Sequence, residues 1–215
     1  MRDLVLYIGN RNYSSWSLRP WLALTAAGIP FRDEVILFDF PAGNPGLKAV
    51  SPTGRVPLLV DGDLKVWESL AIIEYAHELF PDAGLWPKDR AARADARAIA
   101  TEMLSSFHAL RNACPMNIRR PVKAIDLPEG VMDNVARIET IWHERLARSG
   151  GPFLYGAFSA ADAMYAPVTN RFEIYALTQD PRSRAYMAAV KAHPAFRAWQ
   201  EAALAEPWIV PEDEA

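Results

Sequence analysis

The amino-acid sequence predicts a small α/β domain followed by an all-helical domain. Three observations carry this. Residues 1–81 set short, β-rich apolar runs against helical patterns in strand–helix–strand order. The stretch "PDAGLWPKD" then breaks the texture, and residues 82–88 read as a linker. Residues 89–215 are alanine-rich, with 3.6-residue apolar periodicity and Pro or Gly at each interruption.

Taken in order, "LVLYI" at residues 4–8 is a continuous apolar run of strand length. A helical pattern over 15–27 ends at Gly28-Ile29-Pro30, where glycine follows the last turn and proline bars continuation. Pro20 lacks an N–H and is best tolerated in a first helical turn. That places the N-cap near Trp16 or Ser17 and makes Ser17 the plain cap. Residues 31–38 read as the second strand, so the first two strands form a parallel pair with a right-handed crossover. Residues 41–54 are loop, with one helical turn around 46–50. Strands over 56–60 and 64–67 form a hairpin across Asp61-Gly62-Asp63. Glu68-Ser69 opens a helix to about Phe80, with Ile72, Ile73, Ala76, Leu79 and Phe80 on its buried face, and Pro81 stops it. Helices are expected over 89–113, 128–148, 160–177, 182–192 and 194–205. Ser159 and Asp162 have the spacing of a reciprocal capping box.

Composition removes several function classes. The net charge of −3 leaves no basic footprint for nucleic acid. The single cysteine, Cys114, allows no intrachain disulfide and points to a reducing compartment, the cytoplasm. The N-terminus reads as a buried strand, not a signal peptide, and no run of about 18 apolar residues suggests a membrane span. The four histidines are scattered and no metal-ligand spacing occurs, so no metal is expected. Phosphate-loop, dinucleotide and serine-hydrolase motifs are missing.

Three stretches point to chemistry. In Arg55-Val56-Pro57, proline stands where a strand's first residue owes no ladder bond. A cis Val56–Pro57 bond there would turn the Val56 backbone outward, to pair with a peptide-like ligand as an added strand does. In Glu68-Ser69, the plain reading is a helix cap. The sharper reading is an amino-acid site: helix N–H groups and the Ser69 hydroxyl hold a carboxylate, and Glu68 holds the adjacent ammonium. In "NYSSWSLRP", three serines crowd one helix start, one as a cap and two left over.

This combination of βαβ unit, Val56-Pro57, hairpin, Glu68-Ser69 and a helical domain with Ser159-x-x-Asp162 resembles the cytosolic glutathione S-transferases over essentially the whole chain. "SSWS" followed by Leu18-Arg19 is similar to the zeta-class pattern S-S-C-S-x-R, a class that includes maleylacetoacetate isomerases, with Trp16 at the cysteine position. "ESLAIIEY" is zeta-like as well. The resemblance implies a thioredoxin-like N-terminal domain of order βαβαββα, an all-α C-terminal domain and a cytoplasmic homodimer using glutathione as co-substrate. It implies a serine-type, detoxifying transferase acting on an electrophilic small molecule. The alternatives are a glutathione-dependent isomerase of the maleylacetoacetate type and a non-catalytic glutathione-binding or regulatory protein. By the same resemblance Ser14 donates to the glutathione sulfur, with Ser15 as runner-up. Val56, preceding Pro57, pairs with the cysteinyl backbone. Glu68 and Ser69 hold the γ-glutamyl end, and Arg55 and Lys48 reach the glycyl carboxylate. The acceptor site is expected between the domains, lined by Met103, Phe107, Leu110 and Arg111 with Tyr13 and Trp16. Arg119 and Arg120 of "MNIRR" have three candidate roles: orienting an anionic acceptor, pairing with acids across a dimer interface, or solvation.

Overall fold

The computed structural model describes residues 3–214. β1 (Leu4–Ile8), α1 (Ser15–Ala26) and β2 (Arg32–Val35) form the expected parallel unit, and α2 (Pro45–Val50) is the single turn foreseen in the loop. β3 (Leu58–Asp61) and β4 (Leu64–Trp67) form the hairpin, followed by α3 (Ser69–Leu79). The four strands make one mixed sheet in the order β2-β1-β3-β4, with β3 antiparallel to β1. β1 is paired on both sides, so its continuous apolar run buries Leu4, Leu6 and Ile8. β2 is shorter than the 31–38 expected. After the Ile36 N–H bonds the Ile8 carbonyl, the Asn10 side chain accepts from the Phe38 N–H (2.8 Å) and draws the chain out of the sheet.

The second domain consists of α4 (Arg90–Ser105), α5 (His108–Ala113), α6 (Val131–Ser149), α7 (Ala160–Ile174), α8 (Pro181–Ala192) and α9 (Pro194–Ala205). α7 is buried at every position but Glu173, as befits a central helix packed on all sides, and it carries Asp162, Thr169, Asn170 and Arg171 into the interior. It packs against α1 of the first domain as well as α4 and α8, so the domains share one core. Trp142 anchors that core against Tyr165, Phe172 and Tyr186. The capping box forms as expected. Asp162 accepts from the Ser159 N–H (2.9 Å) and hydroxyl (2.9 Å), from the Leu154 N–H (3.0 Å) and from the Tyr186 hydroxyl (3.1 Å). Burial pushes its carboxyl up to about 6.

One helix is wrong in the sequence reading. Residues 89–113 do not form a single helix but break between α4 and α5, where Phe107 adopts a left-handed conformation with φ of 61°. The turn sends both Phe107 and Leu110 into the core. Burial of two large side chains outweighs the ~1–2 kcal/mol cost of a non-glycine residue there.

Candidate active site

The start of α1 is built differently from the sequence expectation. Ser14, not Ser17, is the N-cap, and its Oγ accepts from the Ser17 N–H at 3.3 Å. Pro20 therefore lies in the second turn, not the first. Its missing N–H orphans the Trp16 carbonyl one turn earlier. The Ser69 hydroxyl supplies the replacement, donating to that carbonyl at 2.7 Å. Ser69 thus ties α3 to α1 instead of capping its own helix, whose N-cap residue is Glu68 and has no side-chain cap bond. Ser17 is fully buried and takes two bonds, from the Gly9 N–H (3.1 Å) and from the Ser14 hydroxyl (2.7 Å).

The approach to Ser14 is clamped from the second domain. Glu206 accepts from the Arg11 (2.8 Å) and Asn12 (3.2 Å) N–H groups. The Asn12 amide donates to Asn117 (2.9 Å) and accepts from the Arg119 N–H (2.9 Å). Glu206, Asn12 and Asn117 were not singled out in the sequence. Their only signal there is the density of asparagines beside the serines, and pairings across 105 to 195 residues leave no periodic trace.

A cavity of about 550 Å³ opens between the domains at this point. Ser14, Ser15, Tyr13 and Trp16 line it at the helix start, and Lys48, Arg55 and Val56 line it from α2 and the following loop. Arg111, Arg171 and Asp213 close the far side. The Val56–Pro57 bond is cis, as the sharper sequence reading had it, and Pro57 itself is buried outside the lining. Glu68 is exposed and Ser69 buried, and neither lines the cavity. Of the expected acceptor residues, Tyr13, Trp16 and Arg111 are on the wall, but Met103, Phe107 and Leu110 are core residues that do not reach it. Met103 lies on the buried face of α4, and the α4–α5 break turns Phe107 and Leu110 inward. A larger cavity, about 700 Å³, lies along the linker and the start of α4 and holds none of these residues.

Arg119 and Arg120 are both occupied. Arg119 donates to the Tyr13 hydroxyl (2.9 Å) and to the carbonyls of Glu206 and Trp208, pinning the C-terminal strap. Arg120 donates to the Lys123 (2.9 Å) and Ile174 (2.7 Å) carbonyls and stacks on Tyr175. Neither supports the anion-orienting role. Two other arginines sit beside the serines instead: Arg19, which the sequence offered only as part of the "SSWS"-Leu18-Arg19 motif, and Arg171, which it did not single out. Arg19 is buried on α1 and donates to the Ser15 and Met164 carbonyls (3.1 and 3.0 Å). Arg171, buried on α7, donates to Ser15 Oγ at 3.3 Å, and burial followed by repulsion from Arg111 lowers it to about 10. Cys114 is buried, and burial raises its thiol. Among the described residues, no helix is long and apolar enough to cross a membrane, and no cluster of three or more His, Cys, Asp or Glu residues forms a metal site.

Comparison with known proteins bears on this arrangement. Residues 13–79 match the family model of the glutathione S-transferase N-terminal domain, and residues 115–202 that of its C-terminal domain. A probable maleylacetoacetate isomerase of Caenorhabditis elegans is 39% identical over 50% of either chain. Another, of Vibrio cholerae, is 26% identical over 91% of this chain and 94% of its own. The alignments span about half the length of the first curated relatives matched. Among solved structures, a Sulfitobacter glutathione transferase homologue with bound glutathione superimposes with a TM-score of 0.70 at 25% identity, over 94% of this chain and 98% of that one.

Proposed function

The chain belongs to the glutathione S-transferase family, and on that premise we propose that it is a serine-type glutathione transferase acting on an electrophilic small molecule. The observation that carries the proposal is the Ser14 hydroxyl, standing at the N-cap of α1 on the wall of the inter-domain cavity. A free thiol with pKa ~8.5 is about 3% ionised at pH 7, whereas one at ~6.5 is about 75% ionised. The difference requires ~2.7 kcal/mol of preference for the anion. A hydroxyl donated to a charged acceptor supplies roughly 1.5–3 kcal/mol. The positive end of α1 adds ~0.3–1 kcal/mol, or up to ~2 in a partly buried site. No protein base is needed.

Ser14 donates to the sulfur, its hydroxyl turning from Ser17 to the thiolate. Ser15, with its Oγ already engaged by Arg171, is the second candidate. The Val56 backbone pairs with the cysteinyl unit. Lys48 and Arg55 take the glycyl carboxylate, and Glu68, with the N-terminal N–H groups of α3, takes the γ-glutamyl end. In the reaction the thiol proton leaves to water. The sulfur electron pair forms the new C–S bond, and a leaving group such as halide departs with its bonding pair. A cytoplasmic homodimer belongs to the same proposal. The names of the two relatives favour one second reading, glutathione-dependent isomerisation, in which the thiolate adds and leaves again. Retention on immobilised glutathione with turnover of a chlorinated nitroarene is the expected result. Retention without turnover of the arene or of maleylacetoacetate selects a regulatory glutathione binder, and absence of both overturns the reading.

A further inference from the structure

We propose that Ser17 is a positioning residue for the reacting serine. Its hydroxyl turns to donate to Ser14 Oγ when Ser14 donates to the glutathione sulfur. One chain of donors then runs from the Gly9 N–H through Ser17 and Ser14 to the thiolate. The inference rests on the serine-type reading of Ser14.

With Ser14 at the N-cap, Ser17 is the third residue of α1. In a capping box a Glu or Gln at that position reaches back to the N-cap N–H. Here the Ser14 N–H already donates to the Asn10 carbonyl at 2.8 Å, so no long side chain is called for. The short Ser17 side chain meets the Ser14 side chain instead, with the two oxygens 2.7 Å apart. The cap itself uses only the Ser17 N–H, which donates to Ser14 Oγ. The Ser17 hydroxyl is therefore additional to the cap. It is also out of reach of solvent, since Ser17 is fully buried and Ser14 is 5% exposed.

Two hydroxyls in contact hold two protons, and only one can lie between their oxygens. As the chain stands, the Ser14 hydroxyl donates inward to Ser17 Oγ, which also accepts from the Gly9 N–H at 3.1 Å. The Ser17 proton then has no acceptor among the described residues except Ser14 Oγ. A thiolate on the cavity wall changes the order. Ser14 turns outward to the sulfur, Ser17 turns to Ser14, and the Gly9 N–H stays on Ser17. The contact between the serines is kept with its direction reversed. Each hydroxyl keeps its own proton, and the one proton that departs is the thiol's, to water. Hydrogen bonds in such a chain polarise one another, each strengthening the next by about 10–30%. Ser14 is thus a stronger donor than a lone hydroxyl. The chain begins on backbone at the end of β1, which fixes the donors before the charge forms.

The test follows the ultraviolet absorbance of the bound thiolate against pH in the full chain, as the difference between glutathione-saturated and glutathione-free protein. Ser17→Ala is expected to raise the bound-thiol pKa by about 0.2–0.6 unit, the cooperative share of the roughly one to two units assigned to Ser14. The thiolate-to-thiol ratio at a given pH then drops about two- to fourfold. Ser17→Ala also leaves the buried Gly9 N–H without its acceptor and loses stability. Ser17→Cys covers the case in which that protein fails to fold. It fills nearly the same volume with a weak donor, and a rise in the same direction is expected. In Ser14→Ala/Ser17→Ala the pKa should equal that of Ser14→Ala alone, because Ser17 acts only through Ser14. No rise in either Ser17 variant, whatever the stability, makes Ser17 a packing residue and overturns the inference. A lowered pKa overturns it as well, since Ser17 would then be holding the Ser14 proton back from the sulfur. A further rise in the double variant does the same. An unchanged pKa in Ser14→Ala brings down the serine-type reading itself, whereas a rise in Ser14→Ala with none in the Ser17 variants brings down this inference alone.

Discussion

Replacing Ser14 by alanine removes one hydroxyl from the cavity wall and leaves the helix end in place. The structure separates the two contributions. The cap bond to the Ser17 N–H is long, 3.3 Å, so the loss in folding stability should fall toward the lower part of the ~0.5–2 kcal/mol range for N-cap removal. The loss at the thiolate is larger, because the donor there meets a full charge: roughly 1.5–3 kcal/mol, or about one to two pKa units at 1.36 kcal/mol each. A bound thiol at ~6.5 would move to ~8, and its ionised fraction at pH 7 would drop from about three quarters to about a tenth. The ultraviolet absorbance of the thiolate, followed against pH in the glutathione-saturated protein, reads the shift directly. Turnover at pH 7 should fall by a similar factor and recover at higher pH. A bound-thiol pKa unchanged in Ser14→Ala but raised in Ser15→Ala would refute the assignment and pass the role to Ser15. An unchanged value in both would remove the hydroxyl mechanism altogether.

Three other outcomes are expected. Glu206→Gln can accept from only one of the Arg11 and Asn12 N–H groups that now share its carboxylate. It should cost about 1–3 kcal/mol in chemical denaturation and raise the KM for glutathione, because those groups hold the loop before Ser14. Gly9→Ala would place a Cβ 2.4 Å from the Phe38 ring, which lines the cavity and stacks on Phe40. Weakened retention on immobilised glutathione with the fold intact by circular dichroism is the expected result, and unchanged retention would mean that Phe38 yields without disturbing the site. For Asp162, burial raises the folded-state carboxyl to about 6 from an unfolded value of 3.8. The native state then holds the extra proton between those values, so this group's contribution to stability falls as pH rises through that window. The wild type should lose up to ~3 kcal/mol relative to Asp162→Asn between pH 4 and 7, measured by urea denaturation of both proteins across that range.

Much of the fold is legible in the sequence because its signals are local. The apolar run of β1, the glycine and proline that end α1, the Asp61-Gly62-Asp63 turn and the Ser159–Asp162 box each act within a few residues, and each is where it was expected. The errors share one cause. Phe107 breaks a helix that periodicity would continue, because core burial of Phe107 and Leu110 overrides local preference. That break also bears on the expected acceptor wall, since it carries Phe107 and Leu110 into the core instead of onto the cavity. The cap of α1 was misassigned because Pro20 was judged on its own helix alone, whereas the Ser69 hydroxyl, 53 residues away in sequence, satisfies the carbonyl that Pro20 leaves open.

By itself the sequence determined the two-domain architecture and the strand order of the βαβ unit and hairpin. These follow from periodicity, turn chemistry and short motifs, all of which operate over less than one element's length. Only the tertiary structure decided which serine caps α1 and which arginines stand beside the serines at its start. Arg19 and Arg171 stand 152 positions apart, and neither helix by itself points to the other residue. The packing of α1 on α7 brings them together at Ser15 and leaves their charges without an ion pair among the described residues. Charge balance at a buried site is a property of everything that surrounds it, and no stretch of sequence carries that sum.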